Sequence, residues 1–473
     1  MKMLQKFLLL LGSVQLALVA AQTSGNFSIL SYNVAGLPEL LSSGDPATNT
    51  PLISSRLKAY NIINVQEDFN YHAALYASDT HAYRTPTSGG AGLGSGLNTL
   101  SDFPYADLNR VKWDACNLNS GDCITPKGFT FARVSVSVAD AAGGFLVDVY
   151  NLHTDAGSDE GDISARAKNF AQVAAYIQKS SVGMPVIVMG DTNARYTRPG
   201  DSESLHSFLS TTGLTDLWVS KIRGGSFPSS GADDLVCQFP FPVGTSQADM
   251  NACEVVDKIF VRGNPALSFS FPRSTYANAH TAFIDASGAP LSDHYPILST
   301  LVWELSPYVH MGDAVVGGPH GDAFNDLVDL FPTSQPPIAS SAVPRLTSIT
   351  LRGANRLDAI SHTVQLPSTT SPAPSKTLTH GGTGGSPSTL TLSSNERITQ
   401  IKACSGKHNS RTRVFYIELT TNTGRAVSAG KQTGDCVVMN APGASAAAWG
   451  LVGFYGRSGD EVDRVAPLWA VVQ

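Results

Sequence analysis

The chain has 473 residues, 42% of them hydrophobic, and a formal charge of −6 from 32 Lys and Arg against 38 Asp and Glu. That length accommodates two or three domains, each able to bury a core. The acidic balance, with no clustered Lys/Arg run, argues against a general nucleic-acid binder, and no stretch beyond the N-terminus is long and apolar enough to span a bilayer.

Met1 to Ala21 reads as a secretory signal, with Lys2 and Lys6 ahead of an apolar run from Phe7 to Ala20. A secreted, extracellular protein is therefore expected, with no stable protein partner. Asn26-Phe27-Ser28 is a glycosylation sequon near the mature N-terminus. Six cysteines fit an oxidising compartment. Their grouping suggests the pairs Cys116–Cys123, Cys237–Cys253 and Cys404–Cys436.

Phe27 to Asn33 alternates like a strand and ends on Asn33. Ser54 to Tyr60 is a candidate short helix, and Ile62 to Glu67 is the next strand, ending on Glu67. Gly89 to Gly96 is a Gly-rich surface loop, read either as a plain linker or as a loop facing substrate. Gly143 to Leu152 is strand-like and delivers His153, and Ile163 to Lys179 has helical apolar spacing. Val186 to Met189 is a short β-branched run that reads as a buried strand, followed by Gly190, Asp191 and Asn193. In an extended segment Asp191 and Asn193 would face the same way; the plainer alternative is an Asx turn. Val255 to Val261 is a further strand carrying Asp257, and Ser292 to Leu298 opens the last, carrying Asp293 and His294.

Asn33, Glu67, His153, Asp191, Asn193, Asp257, Asp293 and His294 all fall at or near strand ends, where open sheets gather ligands and catalytic groups. Carboxylate and amide oxygens suit a hard cation such as Mg²⁺. Two histidines beside aspartates suit proton transfer and phosphate contact. Singly, each has a plainer reading: a hydrogen-bonded structural histidine, a solvated Glu67, or a surface ion pair of Asp257 with Lys258.

Ser-Tyr-Asn33, Gln66-Glu67, Asn151-Leu-His153, Gly190-Asp191-Thr-Asn193, Asp257-Lys-Ile-Phe-Val and Ser292-Asp293-His294 stand in the order of the endonuclease/exonuclease/phosphatase superfamily, which residues 24–304 resemble. The resemblance implies a four-layer α/β/β/α sandwich of two mixed sheets flanked by helices. It implies Glu67 as principal metal ligand, helped by Asn33 and Asp293, with Mg²⁺ or Mn²⁺ as cofactor. Asp191 and Asn193 would position water and phosphate. His294, oriented by Asp257, would be a general base or oxyanion stabiliser, and His153 an acid or second phosphate contact. The Pro-x-Trp-x-Asp-Arg of the inositol 5-phosphatases is replaced here by Cys253-Glu-Val-Val-Asp257-Lys258, which counts against inositol phosphates.

After a connector at 305–310 the composition shifts to Gly, Ser and Thr, and helical periodicity ends. Strand-like runs at Thr347–Arg352, Leu357–Val364, Arg413–Leu419 and Trp449–Tyr455 read as an all-β sandwich, barrel or prism. Gly317-Gly-Pro-His-Gly321, Phe324-Asn-Asp326, His380-Gly-Gly-Thr-Gly-Gly385 and Gly453 to Asp463 resemble the jacalin-like lectins, whose fold is a β-prism of three four-stranded sheets. The resemblance implies a sugar site built from Gly321 and from Gly459, Asp460, Glu461 and Asp463. His320, where mannose binders of that family often have Gly, leaves the sugar open. Residues 311–473 are expected to fold alone and to bind a mannose-type or related glycan.

The combined expectation is a secreted, Mg²⁺-dependent phosphodiester hydrolase targeted by a glycan-binding domain, with a phospholipid or sphingolipid head group favoured over nucleic acid as substrate. A secreted nuclease is one alternative. A non-catalytic lectin or adhesin on a degenerate scaffold is another.

Overall fold

The computed structural model describes residues 23–42, 44–119, 122–137, 144–331, 343–368, 371–443 and 448–472. Residues 1–21, expected to be a secretory signal, and Gly143 lie outside them. Among the described residues no helix is long and apolar enough to cross a membrane.

The N-terminal unit is built on two facing sheets. One is seven-stranded, running Leu267–Ser270, Ile297–Leu305, Ser24–Asn33, Ile62–Gln66, Asn98–Ser101 and Tyr83–Arg84, with Ala277–Asn278 also paired to Ile297–Leu305. The other is six-stranded, running Tyr105–Lys112, Gly128–Val136, Phe145–His153, Val186–Asp191, Asp257–Arg262 and Thr215–Asp216. Residues of opposite parity in Ser24–Asn33 divide between two cores: Phe27 and Ile29 join the larger cluster, and Leu30 and Tyr32 pack with Ile53, Leu57 and Leu75 of the outer helices. This is what period-two side-chain alternation does when both faces are covered. The Glu160–Ser180 helix lays Phe170, Val173, Ala174 and Ile177 on the second sheet, completing the four layers.

A polar layer clasps the sheets beneath their ends. Gln66 Nε2 donates to Asn151 Oδ1 at 2.8 Å, and Asn151 Nδ2 donates to the carbonyls of Val65 at 2.9 Å and Asn98 at 3.0 Å. These buried amides bring the ends of Ile62–Gln66 and Phe145–His153 together, and with them Glu67 and His153.

Three sequence expectations shift. The first helix runs Pro46–Leu57, starting earlier than expected because Asp45 caps it, its side chain accepting from the Thr48 N–H, and Pro46 opens its first turn. The strand expected from Ser292 begins only at Ile297, because the Ser292 hydroxyl and Pro296 hold 292–296 as a loop. The connector shrinks to 306–308, since Ile297–Leu305 ends the first unit and Val309–Met311 already pairs with the last strand of the second.

The C-terminal unit is three antiparallel sheets, as expected of a prism; two have four strands, and the one organised around Trp449–Ser458 and Val462–Val471 has five instead of four, because the short Val316–Gly317 also pairs with Val462–Val471. The disulfides Cys116–Cys123, Cys237–Cys253 and Cys404–Cys436 are all present. The two units share buried surface. Leu146, Met184 and Ala266 of the first lie in one apolar cluster with Val309, Met311 and Tyr455 of the second. Asp107, in the left-handed region at φ 58° on a bulge of Tyr105–Lys112, receives Arg464, whose Nη2 lies 2.9 Å from Oδ1. The expectation that 311–473 folds alone is set against this shared core, which its excision would open to water.

Candidate active site

Phe145–His153 and Val186–Asp191 pair in parallel and end together, His153 opposite Asp191. Asp257–Arg262 runs antiparallel to Val186–Asp191 and begins opposite the same residue. Three strands therefore place His153, Asp191 and Asp257 side by side, although they are far apart in sequence.

Asp191 is the hub. It is buried, and its Oδ2 receives Asn33 Nδ2 at 3.1 Å, with His153 Nε2 at 3.2 Å and His294 Nε2 at 3.6 Å. Its Oδ1 accepts the Asn193 backbone N–H at 2.9 Å, an Asx turn, and Asn193 sits at φ 47°. Turn and site thus coexist: Asn193 reaches the site through the turn, not by extended alternation, and its amide donates to the Thr154 carbonyl at 3.2 Å.

His294 sits on the 292–296 loop, held by its N–H to the Ser292 hydroxyl, which in turn donates to the Asn33 carbonyl at 2.7 Å. Its Nδ1 lies 2.9 Å from Asp257 Oδ2. Burial alone would depress the imidazole, but the carboxylates of Asp191 and Asp257 outweigh it and hold its pKa well above the usual value. Burial would raise the Asp191 carboxyl, but His294 and His153 outweigh it and keep it well below the usual carboxylate range. Burial pushes Asp257 up to about 6, against the pull of His294. Asp257 does not pair with Lys258, which is buried against Glu254 at 3.0 Å.

Glu67 closes the other side. It too is left-handed, at φ 58°, and its carbonyl accepts from Gly36 at 3.1 Å and Phe69 at 2.9 Å. A Cβ on Gly36 would fall 2.5 Å from that carbonyl oxygen, so this turn requires glycine. The Glu67 Oε1 accepts Asn33 Nδ2 at 3.1 Å, making Asn33 the bridge from Glu67 to Asp191. The Gly-rich loop meets this corner: the Gly96 carbonyl accepts the Asp68 N–H at 2.9 Å, and Leu93 is exposed.

Asp191, Asp257 and His294 offer ligand atoms within 4.8 Å of one another. Both nitrogens of His294 are already turned to carboxylates, so this group reads as a proton relay. The half-buried Glu67 carboxylate and Asp191 supply the oxygens of a corner that fits a hard divalent cation, whereas Asn33, expected as a ligand, faces it with its amide N–H₂ because its Oδ1 accepts the Ala35 N–H at 3.0 Å. Asp293 stands on the exposed rim of the cleft, beside His294.

Arg195 was given no role by sequence. It lines the same cleft of about 260 Å³ with Asn193, Asp257, Asp293 and His294. Its Nε is buried with no hydrogen-bond partner. The neighbouring acids are taken, Asp201 by Arg166 and Arg198 and Glu254 by Lys258. Nothing in the sequence separates Arg195 from the ion-paired Arg198.

In the prism, Gly321, Gly459 and Asp463 come together, as the sequence suggested. A Cβ on Gly321 would lie 2.3 Å from Asp463 Oδ2, and one on Gly459 3.9 Å from it. The acids are not open, however. Arg413 pairs with Asp463 and lies 3.4 Å from Glu461, which also holds Arg356 at 2.5 Å. Asp460 is exposed.

Residues 48–221 match the model of the endonuclease/exonuclease/phosphatase family 2, and residues 314–466 match that of the jacalin-like lectin domain. Proteins named sphingomyelinase from Mycobacterium bovis and Mycobacterium tuberculosis are 40% identical over 282 residues, 58% of this chain and 52% of theirs, so the chain spans about half the length of these relatives. A Staphylococcus aureus beta toxin structure with bound magnesium ions aligns at TM-score 0.40 and 17% identity, covering 58% of this chain and 99% of that one. A mannose-binding jacalin-related lectin from Ananas comosus aligns at TM-score 0.26 and 21% identity, covering 34% and 96%. The chain thus carries an endonuclease/exonuclease/phosphatase-family domain joined to a jacalin-like lectin domain.

Proposed function

We propose that this protein is a secreted, Mg²⁺-dependent phosphodiesterase that releases the phosphorylated head group of a sphingolipid, and that its C-terminal domain directs it to glycan-bearing surfaces. The observation that carries the reaction class is the convergence of Asn33, His153 and His294 on one buried oxygen of Asp191. The similarity to proteins named sphingomyelinase supports the substrate class.

In this reading water adds to phosphorus and the bond from phosphorus to the lipid oxygen breaks. Asp191 and Asn193 position the water and the phosphate. His294, fixed by Asp257, moves a proton at Nε2, and His153 holds its Nε2 3.2 Å from the same Asp191 oxygen as a second proton donor or phosphate contact. A proton donor or acceptor so placed contributes roughly 10²–10⁴-fold. Arg195 supplies its unengaged guanidinium to a phosphate oxygen, a charge-assisted contact suited to that fork. Glu67, its carboxylate oriented by the Asn33 amide, would hold the divalent cation, which when bound supplies positive charge against the phosphoryl oxygens.

The test is head-group release from sphingomyelin vesicles and inositol-phosphosphingolipid vesicles, and nicking of plasmid DNA, with Mg²⁺ and with chelator at matched phosphodiester concentration. Mg²⁺-dependent release from a sphingolipid is expected. Rapid nicking with neither lipid cleaved would assign the protein to the nucleases instead.

A further inference from the structure

We propose that the lectin-type site of the C-terminal domain takes an acidic saccharide, a glycan bearing carboxylate or sulfate groups, in place of a neutral mannose-type sugar. This rests on reading the domain as a carbohydrate binder and goes beyond it in naming the ligand class.

The first observation concerns the acids. A neutral sugar offers hydroxyls, and the carboxylates of Glu461 and Asp463 would be their natural acceptors. Both are engaged within the chain. Asp463 is only 2% exposed and is paired with Arg413, while Glu461 is held by Arg356 and approached by Arg413. Opening such pairs to admit a hydroxyl leaves a buried charge uncompensated, which is costly.

The second observation concerns the cations left over. The Arg457 Nη1 donates to the Gly321 carbonyl at 2.8 Å, placing a guanidinium directly at the site. The hairpin of Ile398–His408 and Arg411–Thr421, closed by the left-handed pair Asn409 and Ser410, brings Lys407 and Arg411 to the same corner. A Cβ on Gly318 would touch both Thr412 of this hairpin and the His320 ring. His320 faces Arg413, Arg411, Arg464 and Lys407, and burial together with these charges holds it below the usual imidazole value. Arg464 is neutralised by Asp107 and Arg413 by Asp463. Arg411 is exposed with no acid partner among the described residues, and Lys407 reaches only the Thr412 hydroxyl at 2.6 Å. On the acidic side, Asp322 lies 3.7 Å from Lys179, and Asp460 and Asp358, which meet at Gly382, are the opposing charges. Arg411, Lys407 and Arg457 still outnumber these two acids. Guanidinium groups match carboxylate and sulfate oxygens with paired donors. His320, in the place where a neutral-sugar site often has glycine, adds a ring donor to this basic rim.

The experiment measures binding of the full chain to immobilised heparin-derived oligosaccharide, sialyllactose and mannose conjugates at low and high salt, and repeats it with Lys407→Glu/Arg411→Glu. Binding to at least one acidic ligand is expected, weakened by salt, with mannose silent. The double variant should lose about tenfold or more, the value of one charge-assisted hydrogen bond or better. Its thermal melting reports folding, and Arg411→Ala replaces it if it does not fold. Mannose binding with the acidic ligands silent, or acidic binding indifferent to salt and to the variant, would overturn the inference and leave the carbohydrate-binding reading standing. No binding to any of the three would overturn both.

Discussion

Replacing Asp257 by Asn tests whether His294 works as an oriented proton carrier. The substitution keeps the shape of a buried side chain and removes its charge. His294 Nδ1 lies 2.9 Å from the Asp257 carboxylate, and Asp191 and Asp293 are further acids acting on the ring. A hydrogen bond to a charged group is worth roughly 1.5–3 kcal/mol, so turnover should fall about 10- to 150-fold at roughly 1.4 kcal/mol per decade. The pH dependence moves in a fixed direction. Asp191 and Asp257 together raise the His294 pKa. With one carboxylate gone the imidazolium loses its proton at lower pH, so the limb of the pH–rate profile set by His294 shifts acidward, whichever way it passes the proton. The assay is steady-state head-group release from sphingomyelin vesicles in Mg²⁺ across pH, with circular dichroism as the fold control. Wild-type turnover with an unmoved limb in a folded variant would refute the relay.

Other perturbations reach different parts of the molecule. Glu67→Gln keeps the left-handed turn and removes the anionic ligand; turnover should fall roughly 10²-fold or more, and Mg²⁺ should no longer raise the melting temperature. Arg195→Ala should cost about 10- to 100-fold in kcat/KM through the lost phosphate contact, with Arg195→Lys recovering part of it. Asp326 is buried beneath His362 and His380 in the prism, at 3.2 Å and 2.7 Å. Burial would raise its carboxyl, but hydrogen bonds from the two histidines bring it down from 3.8 to about 2. A lowered folded pKa means stability that is complete above the unfolded value and is lost as pH falls toward the folded one, here about 2 kcal/mol between about pH 4 and 2. Asp326→Asn should flatten that acid limb in chemical denaturation.

Much of this was legible because the chemistry sits where strands stop. Ile62 to Gln66 and Val186 to Met189 are short apolar runs whose next polar residue falls at the sheet edge, so Glu67 and Asp191 announced themselves. Grouping of the cysteines foretold their pairs. What could not be read depends on contacts between distant residues. Asp463 looked like an open sugar ligand because Arg413 lies fifty residues away on another sheet. The 292–296 loop looked like a strand because the Ser292–Asn33 bond that bends it crosses the whole domain. Arg195 drew no role from sequence, since its meaning comes from neighbours that already have partners. Residues 311–473 looked able to fold alone because composition reports a change of fold and is blind to a core shared across the connector.

That shared core fixes a span. The Phe145–His153 strand starts at the seam with the prism and ends at Asp191. At about 3.3 Å per residue, its nine residues separate the two ends by about 26 Å. Gly321 and Asp463 sit near the seam, beside the residues that meet Lys179 and Asp107. A flexible linker would let a bound glycan present scissile bonds at many distances, whereas a rigid body raises effective concentration only for those at a matching reach and lowers it toward zero elsewhere. On the proposed function, anchorage in this molecule would act as a ruler: two surfaces with the same lipid and the same glycan, differing only in how far the glycan stands above the lipid, would be cleaved at different rates.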